Sequence, residues 1–339
     1  MKRNSKVFDC LAQDADAAPP RLAWSASTPD EHKQWRRRFK AKLRQLLGVN
    51  PEPVPVETDW VERIETDAFV RHKVYIRSEE HYWIPAFYFV PKKLTRRAPA
   101  MICLHGHSGV YPYIREGTER EREAAIKLEL DYACLFAERG CVTIAPIQRG
   151  WNETTNICRP EPTNDCYHLS MSSHLLGRTP VGMRVWDGSR IVDFLRSRPE
   201  VDGRRIGSAG LSGGGASTLY FSAMEDRIAL SMIGGFFSTF RDSLFSKYHC
   251  ICQCVPHMMQ WGEMSDIAAL IAPRPLLLVN GTGDDGFPIS GARAGHAVLR
   301  KVYGLLNAED SLEKDFFQGG HQWSNRKSLK FLRKHFGLS

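Results

Sequence analysis

Ser212 is the centre of a Gly-x-Ser-x-Gly pattern at residues 210–214, and a serine in that setting can act as a nucleophile. An apolar, strand-like segment precedes the pattern and a helix-like segment follows it, so the serine is expected on a tight turn between a strand and a helix. Glycine on both sides lets the two elements approach closely. Because glycine-rich loops often contain this pattern by chance, the prediction needs partner residues elsewhere in the chain.

Candidates for the acid and the base follow Ser212 in the chain order that such a nucleophile uses. Asp284 and Asp285 come after an apolar, strand-like run at 276–279, and His321 follows two glycines ahead of the last helix-like segment. A carboxylate can accept the histidine Nδ1–H while the histidine takes the serine proton. The order predicts a Ser-Asp-His triad whose acid is Asp284 or Asp285, the other aspartate capping a turn.

Backbone N–H groups must hold the oxyanion that forms when a serine attacks a carbonyl, and each critical donor contributes roughly 3 to 4 kcal/mol. A strand-like run at 100–104 leads into a His-Gly-His-Ser-Gly turn at 105–109. We predict that the donors are Gly213 and His107, with Ser108 as the alternative for the second. The complete set predicts hydrolysis of an ester through an acyl-enzyme.

Two insertions are expected to shape the substrate pocket, because loops at the carboxyl ends of parallel strands surround such sites. They lie at 110–131 and 151–181, with helical decoration away from the pocket as the alternative. Tyr111, Trp151 and Trp323 are the predicted substrate contacts. The expected partner is a small-molecule ester, and no cofactor is expected.

The segment 249–257 holds three cysteines and two histidines, a composition that raises the question of a bound metal. Its one-residue cysteine spacing differs from the Cys-x2-4-Cys pairs that suit tetrahedral zinc. We therefore predict no metal site, and a non-catalytic, metal-binding protein is the alternative function from another class. Glu263 and Asp266, which follow this segment, either orient the substrate or cap a helix.

The order of strand-like and helix-like segments predicts an α/β protein with a mostly parallel sheet and helices on both faces. Its 339 residues, 42% of them hydrophobic, can bury a large core. Residues 60–91 alternate in polarity, which predicts antiparallel strands at one sheet edge. We divide the chain into an N-terminal extension, 1–55, and a catalytic domain, 56–339. Residues 1–30 are expected to be poorly ordered.

The chain carries a net charge of +8, and a basic cluster lies at 31–50. Trp35, Phe39 and Leu43 recur there at helical spacing, which predicts an amphipathic helix that docks one face and leaves its charges in solvent. No nucleic-acid-binding module accompanies the cluster, so no nucleic-acid partner is expected.

Composition also bears on location. No apolar run approaches the roughly 20 residues that span a bilayer, so no membrane association is expected. No apolar core follows Lys2, Arg3 and Lys6, so a secretory signal is not expected. Nine cysteines, several at apolar strand-like positions, indicate reduced thiols. These features predict a cytoplasmic protein, and the sequence leaves open whether it is a homo-oligomer.

Several segments together resemble an α/β-hydrolase of the acetyl-xylan-esterase-related and dienelactone-hydrolase-like serine esterases. The resemblance runs from about Trp60 to the C-terminus. It rests on the segments 104–107, 148–151, 182–187, 210–214, 271–276, 284–288 and 319–321. It implies the α/β-hydrolase fold with an N-terminal helical extension and cap-like insertions, a small acyl ester as substrate and an esterified sugar as one candidate.

The resemblance also bears on single residues. The family's acid is similar to a Gly-x-x-Asp-x-x-Phe-Pro pattern that Gly281 and Asp284 match in register, which favours Asp284 over Asp285. Members carry a stretch similar to 249–257, which implies a lid over the pocket. Related hydrolases often show an aspartate two residues before the Arg-Gly pair, where this chain has no acidic residue but Ile147-Gln148 before Arg149. A lactonase, a dienelactone hydrolase or a peptidase would use the same residues on the same scaffold.

Overall fold

A nine-stranded sheet runs through the computed structural model, which describes residues 6–48, 51–156 and 164–338. In these ranges the strands are β1 (Thr58–Glu65), β2 (Phe69–Glu79), β3 (Tyr82–Pro91), β4 (Ala98–Leu104), β5 (Val142–Pro146), β6 (Val201–Leu211), β7 (Leu230–Gly234), β8 (Leu276–Gly281) and β9 (Leu312–Phe317). The helices there are α1 (Val7–Ala17), α2 (Pro29–Leu47), α3 (Glu119–Lys127), α4 (Tyr132–Glu138), α5 (Cys166–Leu175), α6 (Pro180–Ser197), α7 (Gly213–Met224), α8 (Met264–Ala269), α9 (Ile289–Leu305) and α10 (Asn325–Phe336). No helix in these ranges combines the length and the apolar character that crossing a membrane requires.

The strand order β1-β2-β3-β5-β4-β6-β7-β8-β9 joins an antiparallel edge to a parallel remainder. The pairs β1–β2, β2–β3 and β3–β5 are antiparallel, and the pairs from β5 to β9 are parallel. The predicted mostly parallel sheet with an antiparallel edge is confirmed. Because parallel strands end at one edge of the sheet, the loops after β4, β6, β8 and β9 are gathered on the same side.

Burial of the central strands explains their apolar sequences. All seven residues of β4 and all six of β8 are buried, as expected for parallel strands with helices on both faces. The edge strand β1 is the opposite case, since seven of its eight residues are exposed. Helix α7 lies against β4, β6 and β7, at the centre of the sheet.

Helix α2 is the predicted basic amphipathic helix. The Thr28 side chain caps its first turn by accepting a hydrogen bond from the Glu31 amide at 3.2 Å, and Gly48 ends it in the left-handed region at φ 67°. Its buried face consists of His32, Trp35, Phe39, Leu43 and Leu47. On the other face, Asp226 pairs with Arg36 and Lys40 at 2.5 and 2.7 Å. The helix therefore docks on the body of the protein as predicted.

The expectation of a poorly ordered N-terminal segment is wrong for residues 6–28; residues 1–5 lie outside the described ranges. Helix α1 forms there, and the loop after it pairs with another part of the chain through backbone hydrogen bonds. The amides of Arg21 and Leu22 donate to the carbonyls of Gln260 and Trp261, both at 3.0 Å. The Trp35 indole donates to the Leu22 carbonyl at 2.8 Å. Backbone pairing, which side-chain composition does not report, orders this segment.

Replacing Phe39 tests whether α2 contributes to the stability of the whole protein. Phe39 is fully buried and stacks on Trp35 at 5.3 Å between ring centroids. We expect Phe39→Ala to lower the free energy of unfolding by about 3–5 kcal/mol, measured by urea denaturation. The exposed Arg38→Ala on the same helix is the control and should change it by no more than about 0.5 kcal/mol. Equal effects of the two substitutions would contradict this assignment.

Candidate active site

Ser212 lies on a sharp turn between β6 and α7. Its backbone angles are φ 60° and ψ −119°, a left-handed conformation that is strained for a residue with a side chain. The close approach of strand and helix requires glycine at the flanking positions. A Cβ atom on Gly210 would lie 2.2 Å from the carbonyl oxygen of Gly214, and one on Gly214 would lie 2.0 Å from that of Leu104. The structure has the predicted elbow, with the serine at its tip.

His321 and Asp284 form a direct pair. The distance from His321 Nδ1 to Asp284 Oδ2 is 2.7 Å. The other carboxylate oxygen accepts the amides of Gly286 and Phe287, both at 3.0 Å, and the Asp284 side chain is almost fully buried. The neighbouring Asp285 is exposed, and Asp284 is the aspartate that faces the histidine.

The His321 ring lies close to the elbow. A Cβ atom on Gly235 would be 3.2 Å from His321 Cε1, and the amide of Ser212 donates to the carbonyl of Gly234, the preceding residue, at 2.9 Å. The ring stays 40% exposed. Among the described residues no hydrogen bond joins Ser212 Oγ to His321, and such contacts tighten when a substrate binds. The three predicted triad residues are thus gathered at one end of the sheet.

The turn after β4 runs past the N-terminus of α7. A Cβ atom on Gly213, the first residue of α7, would lie 3.0 Å from His107 Cε1. The Gly213 amide has no partner within its own helix, and in the described residues no acceptor faces the amide of His107 or of Ser108. The positive end of the α7 dipole points at the same place. Both predicted oxyanion donors, and the alternative Ser108, are therefore available.

A buried histidine fixes the shape of this turn. His105 Nδ1 donates to the Gly106 carbonyl at 2.8 Å, and His105 Nε2 accepts the Gln148 amide at 3.0 Å. Burial lowers the pKa of His105 to about 3, so the ring is neutral and can donate from one nitrogen while it accepts at the other. The Gly106 amide donates to the Tyr113 hydroxyl at 2.9 Å. His105 is a structural residue of the turn.

Gln148 links the turn after β4 to α7, the helix that follows Ser212. Its side-chain amide donates to the carbonyl of His105, and its side-chain carbonyl accepts the hydroxyl of Ser217, in α7. All three residues are buried. The neutral amide of Gln148 donates and accepts at once, so it satisfies both partners.

An ion pair next to Gln148 joins the end of β5 to α6. Arg149 makes a two-pronged contact with Asp187, with Nε–Oδ2 and Nη2–Oδ1 distances of 2.8 and 2.7 Å, and it also contacts Glu79. The Ser78 hydroxyl donates to Asp187 at 2.6 Å. The two partners lie in 148–151 and 182–187, two of the segments on which the family resemblance rests. Their contact fixes the end of β5 against α6.

The three predicted substrate contacts differ in how much surface they offer. Tyr111 is 43% exposed, whereas Trp151 is 4% and Trp323 is 0% exposed. The Trp323 indole donates to Asn325 at 2.9 Å, and its ring packs 4.7 Å from that of Tyr132. In this conformation Trp323 offers a substrate no surface. Its nearness to His321 in the sequence suggested a contact, but its side chain points into the core.

The Cys/His segment at 249–257 does not act as one unit. His249 Nε2 contacts the carbonyl of Gly286 at 3.0 Å, and Cys254 and His257 are exposed. Cys250 and Cys252 instead meet His107 and Cys166, with the four ligating atoms all within 4.8 Å of one another. Residue spacing gives no sign of this group, because its members come from three segments that are distant in sequence.

Glu263 and Asp266 cap helix α8. Glu263 accepts the amides of Met264 and Phe240 at 2.6 and 2.7 Å, and Asp266 accepts those of Glu263 and Trp24 at 2.7 and 2.8 Å. Burial raises the pKa of Glu263 to about 7. Of the two expected roles, the structure supports helix capping.

A large cavity in the structure lies away from the candidate active site. A cavity of about 840 Å³ lies between α9 and β9, and His296, Arg300 and Lys314 are among its lining residues. None of the triad residues lines it. The juxtaposition of chemical groups at the elbow, rather than the volume of this cavity, identifies the candidate active site.

Comparisons with known proteins agree with the fold. No family model matches the chain. It is 25% identical over 304 residues to the "Putative hydrolase YtaP" of Bacillus subtilis (strain 168). The aligned region covers 87% of this chain and 98% of YtaP. Similar solved structures include a "putative acetyl xylan esterase" from Bacteroides fragilis NCTC 9343, with a TM-score of 0.79, 16% identity and coverage of 93% of this chain and 83% of that one.

Two further solved structures are similar over nearly their whole length. A glucuronoyl esterase from Solibacter usitatus has a TM-score of 0.69 and 17% identity, covering 94% of this chain and 98% of the other. An acetyl xylan esterase from Paenibacillus sp. R4 has a TM-score of 0.59 and 18% identity, covering 97% and 99%. Together with the sheet topology, these similarities show that the chain has the α/β-hydrolase fold.

Replacing Gln148 tests its role as a link. We expect Gln148→Ala to lower the free energy of unfolding by about 1–3 kcal/mol, because it leaves the buried Ser217 hydroxyl and the His105 carbonyl without their partner. Urea denaturation measures the change. The exposed Gln34→Ala is the matched control and should be close to neutral. A Gln148→Ala protein as stable as this control would show that the link is dispensable.

Proposed function

We propose that the protein is a serine carboxylic-ester hydrolase that acts through Ser212, Asp284 and His321 on a small acyl ester. The observation that carries this proposal is the 2.7 Å contact between His321 Nδ1 and Asp284 Oδ2 beside the strained Ser212 elbow. A buried carboxylate that accepts a histidine Nδ1–H next to a strained, half-buried serine is the arrangement that acyl transfer requires.

Asp284 determines which histidine nitrogen acts as the base. Its two backbone hydrogen bonds fix the carboxylate, and the carboxylate in turn holds the proton on His321 Nδ1. Nε2 is then left with a lone pair to accept the Ser212 proton. The carboxylate also stabilises the imidazolium that results.

Acyl transfer then proceeds in two halves. In the first, Ser212 Oγ attacks the ester carbonyl carbon, His321 takes the hydroxyl proton and gives it to the departing alcohol, and the serine is left acylated. In the second, His321 takes a proton from water, the hydroxide attacks the acyl carbon, and His321 returns the proton to Ser212 Oγ as the carboxylic acid leaves. In both, the amides of Gly213 and His107 hold the negative oxygen.

An esterified sugar is the proposed class of substrate. The names of three similar structures, two acetyl xylan esterases and a glucuronoyl esterase, support this choice. A lactone or a peptide bond would use the same triad, and the leaving group distinguishes these options. Rates on an acetylated xylooligosaccharide, a lactone and an aminoacyl amide should therefore differ, with the sugar ester fastest.

Removing the nucleophile is the first test. We expect Ser212→Ala to lower kcat for p-nitrophenyl acetate by roughly 10⁶-fold, because it removes the oxygen that forms the acyl-enzyme. A serine-reactive fluorophosphonate should add once to the wild-type protein, at Ser212, and not to the variant, as seen by mass spectrometry. Turnover that survives in a folded Ser212→Ala protein would refute the mechanism.

The two aspartates provide a matched pair. We expect Asp284→Asn to lower kcat by roughly 10⁴-fold, since an amide would hold the wrong histidine tautomer. Asp285→Asn changes the exposed neighbour and should leave kcat unchanged. Steady-state kinetics on p-nitrophenyl acetate measure both. A larger loss for Asp285→Asn than for Asp284→Asn would reverse the assignment of the acid.

A further inference from the structure

We propose that His107, Cys166, Cys250 and Cys252 form a binding site for one soft, tetrahedrally coordinated metal ion, of which Zn²⁺ fits best. The ligating atoms would be the Nε2 of the histidine and the three Sγ atoms. This revises the expectation of no metal, which rested on the spacing of cysteines within 249–257 alone.

The distances between the ligating atoms suit a tetrahedral ion. Cys250 Sγ and Cys252 Sγ are 3.4 Å apart, and Cys252 Sγ is 3.5 Å from His107 Nε2. Zinc binds sulfur at about 2.3 Å and nitrogen at about 2.0–2.1 Å, so a tetrahedron separates two sulfurs by about 3.8 Å and a sulfur from a nitrogen by about 3.5 Å. Small side-chain movements would bring all four atoms, now within 4.8 Å of one another, onto one ion.

A buried arginine supplies independent support. Arg184 is 6% exposed, and its guanidinium points at the sulfurs, with Nη1 3.5 Å from Cys252 Sγ and Nη2 4.0 Å from Cys166 Sγ. Its Nε has no hydrogen-bond partner. Its Nη2 also donates to the carbonyl of Arg149 at 3.2 Å, and in the described part of the chain no carboxylate contacts the guanidinium. A buried positive charge without a counter-charge is costly.

The proposed centre would provide that counter-charge. Three thiolates carry three negative charges, Zn²⁺ carries two positive charges and the histidine is neutral, so the loaded site has a net charge of −1. Arg184 would balance this charge and orient two of the ligands from outside the coordination sphere. The Trp151 ring, edge-on to His107 at 5.2 Å between centroids, holds the fourth ligand in place.

A four-coordinate site with three thiolates has no open position for water or substrate, so its role is structural. The ion would tie together the turn after β4, the start of α5 and the loop that carries Cys250 and Cys252. His107 also offers its backbone amide to the oxyanion. If the proposed ester hydrolysis is correct, metal binding therefore positions an oxyanion donor, and His107 is a positioning residue through its side chain.

Metal content is the direct test. Untagged wild-type protein should contain about one zinc ion per chain, measured by inductively coupled plasma mass spectrometry. It is produced with zinc in the medium and purified under reducing conditions. Cobalt(II) in its place should give the visible bands of a tetrahedral ion and the near-ultraviolet absorption of thiolate bonds. Protein without zinc that also fails to develop the cobalt spectrum would overturn the proposal, as would a disulfide between two of the three cysteines.

Single substitutions locate the ion. We expect Cys252→Ser and Cys166→Ser to lose the zinc. Cys254→Ser should keep it, because this cysteine lies two residues along the same loop, is exposed and stands outside the group. Full zinc retention by both ligand variants would contradict the assignment. Reversible removal of zinc from the wild type by a chelator covers the case in which these variants do not fold.

Activity measurements separate this proposal from the proposed function. Chelation should lower kcat on p-nitrophenyl acetate by roughly 10- to 100-fold, and added zinc should restore it. The loss should be smaller than for Ser212→Ala because His105 still supports the turn. Protein produced with zinc that is active and labelled by the fluorophosphonate, yet holds no zinc and develops no cobalt spectrum, would refute the metal site alone. A protein with one zinc and no labelled serine would refute the hydrolase alone.

Discussion

The close contact between helix α7 and the ends of β4 and β6 is the constraint on which the rest of the structure depends. Gly214 lies so near the Leu104 carbonyl that no side chain fits between them, and this proximity forces Ser212 into a left-handed conformation. The strain persists because the fully buried strands β4 and β7 flank β6 and hold the elbow in place. The same contact brings the N-terminus of α7 beside the turn that carries His107, so nucleophile and oxyanion donors are positioned together.

Much of this arrangement could be predicted because it is local in sequence. A short sequence pattern marks each of three sites: the elbow, the end of the strand before Asp284 and the loop with His321. The parallel sheet then brings them together, because its strands end on the same side. The preference for Asp284 over Asp285 came from a family resemblance, and the structure agrees with it because Asp284 is the one that faces His321. The amphipathic helix α2 could also be predicted, from the spacing of its apolar residues.

The features that the sequence did not predict depend on contacts between residues that are distant in the chain. The segment before α2 is ordered by backbone pairing with Gln260 and Trp261, which leaves no trace in its side chains. Trp323 is close to His321 in sequence, but its ring is fully buried in the core. Cys166 joins Cys250 and Cys252 only because α5 packs against their loop. Patterns within one short segment cannot report side chains that meet from opposite parts of the chain.

The position of His321 after β9 makes the base depend on one edge of the sheet. Strand β9 is an edge strand that pairs only with β8. Local opening costs less free energy at such an edge than at the centre of a sheet. An opening of β9 would therefore displace the proton acceptor while Ser212, at the end of the central strand β6, stayed in place.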